Sequence, residues 1–73
     1  MANRVVEVNR ALKARGVPER LQRGAGYYYF REGNALSWYS SSVYVYRASD
    51  LSVEQWLENY DRLANEAKAM GRY

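Results

Sequence analysis

The chain contains no cysteine and no histidine among its 73 residues. The first absence removes disulfides and thiol chemistry, and the second removes imidazole as base or ligand. Together they exclude zinc sites built from nitrogen and sulfur, Ser-His-Asp triads and Cys-His dyads. No metal site and no cofactor are expected. A disulfide-free domain this small fits a reducing, cytoplasmic compartment. Proline occurs once and glycine five times, so no linker or low-complexity tract is visible. No apolar run reaches the ~20 residues that span a bilayer, and residues 1–15 are charged throughout, so neither a membrane segment nor a signal peptide is expected.

What is present is apolar and aromatic. Hydrophobic residues make up 48% and aromatics 15%, too much for an intrinsically disordered chain. A chain of this length forms one domain, 1–73, which buries roughly 60% of its unfolded surface and is stable by only a few kcal/mol. Its net charge of +3 is unevenly spread. Residues 1–31 carry Arg4, Arg10, Lys13, Arg15, Arg20, Arg23 and Arg31 against Glu7 and Glu19, a net of +5. Residues 32–49 balance, Arg47 against Glu32, and residues 50–73 carry a net of −2. Nine of the eleven cations are Arg, which suits planar contacts with phosphate or carboxylate.

Hydrophobic spacing predicts an α+β domain of order α-β-β-β-α. Val5, Val8 and Leu12 form one stripe of a helix over about 3–15, capped by Asn3 and stopped by Gly16. Pro18-Glu19-Arg20-Leu21 is read as one further helical turn. Aromatic and β-branched residues predict strands over about 26–31 and 42–47. Between them Glu32-Gly33-Asn34 marks a turn, and a shorter strand is expected over about 35–39, an irregular loop carrying Trp38 being the alternative. Ser52-Val53-Glu54-Gln55 has capping-box spacing and opens a helix over about 52–70, with Val53, Trp56, Leu57, Tyr60, Leu63, Ala64 and Ala67 on one face.

Alternation then assigns faces. Tyr28 and Phe30, Leu36 and Trp38, and Val43 and Val45 are expected inward, packing on Trp56, Leu57, Tyr60 and Leu63. Tyr27, Tyr29, Tyr39, Tyr44 and Tyr46 are expected outward beside Arg31. A sheet with one tyrosine-covered face is a candidate recognition surface, because Tyr and Arg are enriched at binding hot spots and stack on bases. The competing reading makes the same tyrosines core residues, or cross-strand pairs on a solvated face. Catalysis is not expected. The carboxylate pairs Glu54/Glu58 and Glu58/Asp61 fall on the solvent face of the last helix, and Gly24-Ala25-Gly26 lacks the spacing of a phosphate loop.

The strings GYYYF at 26–30, Trp38, SSVYVYR at 41–47 and LSVEQWL at 51–57 carry a joint pattern. It resembles small uncharacterised proteins of bacteriophages and other mobile elements, over roughly residues 23–58. Arg31-Glu32-Gly33 stands where many of them have a small or Gly-rich turn. A weaker likeness, of layout only, is to the arm-binding domains of phage integrases. The resemblance implies a phage accessory protein acting in the cytoplasm of a bacterial host, and no established activity. Two functions are carried forward. The first is binding and modulation of a host protein, in the manner of an anti-CRISPR or other anti-defence inhibitor. The second is a nucleic-acid-binding module using the basic amino-terminal half and the sheet tyrosines, with the tyrosines on bases and Arg10, Arg15, Arg20 and Arg23 on phosphates; with a protein partner the same arginines would meet acidic groups. The modest charge and the acidic last helix favour a protein partner, and the basic amino-terminal half favours nucleic acid.

Overall fold

The computed structural model describes residues 3–38 and 40–71. It opens with helix α1, Arg4–Ala14, where the Asn3 carboxamide accepts from the Val5 and Val6 amides at 3.0 and 3.4 Å. Gly16 ends it in the left-handed region at φ 76°, a conformation glycine adopts without penalty. Strands β1 (Arg20–Arg23), β2 (Tyr28–Arg31) and β3 (Ser42–Val43) form one antiparallel sheet in that order. Helix α2, Val53–Ala69, closes the chain with the expected capping box between Ser52 and Gln55. The order α-β-β-β-α is therefore as the sequence predicts, although the strands are differently placed.

Three expectations are corrected. Residues 18–21 do not make a helical turn; they lead into β1, which pairs with β2 in the register Arg20↔Arg31 to Arg23↔Tyr28. The Arg23-Gly24-Ala25-Gly26 stretch is the tip of that hairpin, closed by the Gly24 amide donating to Tyr27 O at 2.7 Å. The strand expected over 35–39 is instead a 3₁₀ turn over Gly33–Ser37. No β-branched residue lies between 32 and 39, and the buried Glu19 carboxylate takes the Asn34 amide at 2.8 Å, which holds the turn. Leu36, expected inward, is 80% exposed, whereas Trp38 is buried as expected. Tyr39 lies outside the described residues.

The third strand, expected over 42–47, stops at Val43. The cause is Ala48, which is buried and held at both backbone groups. Its amide donates to the Tyr28 hydroxyl at 3.1 Å, and its carbonyl accepts from the Trp56 indole at 2.8 Å. These bonds anchor the stretch after Val43 at the end of the sheet and start a short 3₁₀ turn, Ala48–Asp50.

Register places Leu21, Tyr28, Phe30 and Val43 on the inner face of the sheet, all buried. Phe30 meets Tyr60 and Trp56 edge-on at 5.4 and 6.5 Å, and Trp38 lies 5.5 Å from Tyr60. Leu63 is buried with them, and Leu57 and Val45 are half-buried at the margin. Helix α1 contributes Val8 and Leu12 and packs on β1 and α2. Phe30 donates toward β3, to Ser41 O, so the Leu21 backbone groups opposite it point away from β2. Asn9 of α1 meets both: its side-chain amide donates to Leu21 O at 3.0 Å and its oxygen accepts from Leu21 N at 2.6 Å.

Candidate binding surface

The outer face of the sheet carries Arg20, Gln22, Tyr29, Arg31 and Ser42 by register. Tyr27 joins this face from the hairpin tip, with its ring 5.9 Å from Tyr29 and 5.9 Å from Tyr44. The Tyr27 ring also packs against Gly24, where a Cβ would come within 2.6 Å of it, so any larger residue would push the ring aside. Tyr44 is 79% exposed and Tyr46 is 85% exposed. The expected outward set is thus brought together in part. Tyr27, Tyr29 and Tyr44 cluster, Arg31 is half-buried beside them, and Tyr46 turns toward the hairpin tip.

The hydroxyls of these four tyrosines make no hydrogen bond to protein among the described residues, in contrast to those of Tyr28 and Tyr60. An exposed phenol with an unused hydroxyl retains both contact area and a polar handle for a partner.

The four arginines expected to contact phosphate divide into two kinds. Arg15 is paired with Asp61 of α2 at 2.9 Å, which ties the basic start of the chain to its acidic end. Arg20 donates to the carbonyls of Val17 and Glu19 at 2.6 and 2.7 Å. Arg10 and Arg23 are exposed and make no ion pair among the described residues. Arg31 pairs with Glu32.

Arg23 instead lines a cleft of about 350 Å³ at the hairpin tip, with Gly24, Gly26, Tyr27, Tyr46 and Arg47. The Arg47 guanidinium lies 5.5 Å from the centre of the Tyr46 ring, within range of a cation–π contact. Sequence reasoning passed over Arg47, counting it only against Glu32. Its place directly after an outward tyrosine at the end of a strand pattern was the available signal.

A second residue was also missed. Glu19 is fully buried, and its two oxygens are taken by the Tyr60 hydroxyl at 2.5 Å and the Asn34 amide. A Cβ at Gly33 would collide with this carboxylate and with Pro18. Two residues before Leu21, Glu19 has inner-face parity once β1 is recognised. Its role is to join the strand entry, the 3₁₀ turn and α2.

Among the described residues no helix is long and apolar enough to cross a membrane, and no group of three acidic residues is placed to hold a metal ion. The chain matches no family model, no curated protein and no solved structure.

Proposed function

We propose that the chain is a non-enzymatic accessory protein of a phage or mobile element that binds and modulates a host protein, as an anti-defence inhibitor of the anti-CRISPR type does. The observation that carries this reading is the pair Tyr44 and Tyr46, large side chains almost fully in water beside the Tyr27–Tyr29 cluster. Exposed aromatic groups of this kind anchor protein interfaces, where burial of each contributes area at small rotamer cost. The internal use of Arg15, Arg20 and Arg31 supports a protein partner further, because it leaves few cations for a phosphate backbone.

A tagged pull-down from bacterial host lysate, with and without nuclease, tests the proposal. One stoichiometric protein is expected after nuclease treatment, and loss of every partner on that treatment would reject it.

Nucleic-acid binding is the second reading, favoured by Arg10 and Arg23, which are exposed and make no ion pair among the described residues. With Arg15 and Arg20 engaged internally, two of the four arginines remain for duplex phosphates, Arg10 and Arg23. Log affinity would then fall with log salt at a slope near −1.8, taking about −0.9 per phosphate. The protein-partner reading expects no measurable binding to random duplex DNA at physiological salt.

A further inference from the structure

Two arginines line the cleft at the hairpin tip, Arg23 from the end of β1 and Arg47 from the stretch before the second 3₁₀ turn. Neither ion-pairs with a carboxylate among the described residues, and no Asp or Glu lines the cleft. Other arginines of the chain find a carboxylate: Arg4 with Glu7, Arg15 with Asp61, Arg31 with Glu32 and Arg62 with Glu66. Like charges gathered in one concavity repel, and an anion between them turns that repulsion into attraction.

The walls of the cleft add a second requirement. Tyr27 and Tyr46 give it aromatic sides, and Gly24 and Gly26 place no side chain in it. Its volume of about 350 Å³ is well beyond that of a lone oxyanion and falls among small-ligand sites.

We propose that this cleft binds the phosphate monoester of a nucleotide, with the phosphate between Arg23 and Arg47 and the base against Tyr46. A phosphate monoester carries about −1.5 to −2 charges at neutral pH, which balances two guanidiniums, whereas a carboxylate balances one. Guanidinium forks meet phosphate oxygens in bidentate fashion, and aromatic rings accept any base face. With Arg47 held over one face of Tyr46, the other face is left for stacking. This site goes beyond the protein-partner reading and does not depend on it.

The purified protein is titrated by calorimetry with adenosine monophosphate, adenosine, inorganic phosphate, and an oligonucleotide with and without a terminal phosphate. Saturable binding of the monophosphate in the millimolar range or tighter is expected, with none for adenosine. Arg23→Gln and Arg47→Gln should each weaken it by about tenfold, as loss of a charge-assisted contact does. Both side chains are exposed, so circular dichroism should be unchanged in the two variants. Tyr46→Ser, which removes both the stacking face and the ring beneath Arg47, should weaken the nucleotide more than it weakens inorganic phosphate.

Tighter binding of the free nucleotide than of the phosphorylated strand marks a small-molecule ligand, and the reverse marks a strand end. Either outcome supports the site. No saturable binding of the monophosphate, equal binding of adenosine, or indifference to Arg47→Gln would overturn it. A failed pull-down rejects the protein partner and leaves these titrations untouched.

Discussion

Tyr28 and Tyr29 are neighbours in the chain and serve opposite sides of the sheet. Tyr28 is buried, meets Trp56 edge-on at 5.6 Å, and takes the Ala48 amide on its hydroxyl. Tyr29 is half-buried and, among the described residues, meets the Tyr27 ring at 5.9 Å and leaves its hydroxyl unbonded to protein. One step of strand parity separates a buried, hydrogen-bonded tyrosine from one on the outer face. Residue type therefore says little about a tyrosine's role here; the bonding of the hydroxyl says more. Tyr28 and Tyr60 are tied to backbone or carboxylate, while among the described residues Tyr27, Tyr29, Tyr44 and Tyr46 are not.

Substitutions on the two sides should diverge sharply. The largest effect is expected at the inner face: Trp56→Ala removes a fully buried indole and its bond to Ala48, costing about 3–5 kcal/mol. That loss is comparable with the whole stability of so small a domain, and a thermal melt should show no cooperative transition.

The core on which this rests was legible in the sequence. The 3.6-residue spacing of α2 and the alternation of Tyr28, Phe30 and Val43 both survive into the structure. Less was legible where a single side chain overrides local preference. Glu19 fixes the 3₁₀ turn through the Asn34 amide, and Tyr28 with Trp56 pins Ala48 and cuts β3 short. The Glu19–Asn34 and Tyr28–Ala48 contacts join residues 15 and 20 apart, and neither follows from the period of a helix or a strand. β1 escaped notice because Arg20–Arg23 has one apolar residue and no β-branched one, and it is a strand by virtue of pairing with β2. At the surface, the outward parity of Tyr44 was readable, whereas the engagement of Arg15 with Asp61 was not.

The next effect concerns the buried carboxylate. Tyr60→Phe keeps the ring packing and removes the hydroxyl that donates to Glu19, leaving that group short of a partner in the interior. A loss of about 1–3 kcal/mol is expected, read from urea midpoints with an unchanged slope. A smaller cost, about 1 kcal/mol, is expected for Tyr28→Phe, which leaves the Ala48 amide unbonded in the core. Hydrogen exchange at Ala48 should accelerate in that variant more than at Val8, whose amide lies within α1.

At the bottom of the scale lies the outer surface. Tyr44→Ser with Tyr46→Ser should shift stability by no more than about 0.5 kcal/mol while abolishing partner capture in the pull-down. An unfolded double variant would erase the distinction between the two sides and return these tyrosines to the core.

Asn9 has a consequence for how molecules of this protein meet one another. A sheet offers two rows of unmatched amides and carbonyls, and a chain that exposes both can template unlimited strand-by-strand growth. Here the β1 row is occupied at its middle by the carboxamide of Asn9, which imitates a neighbouring backbone at Leu21. At Leu21 the edge therefore has no free amide or carbonyl for a strand of another copy to pair with. Exchange of Asn9 for leucine would strip that cover and leave both Leu21 groups without their side-chain partner.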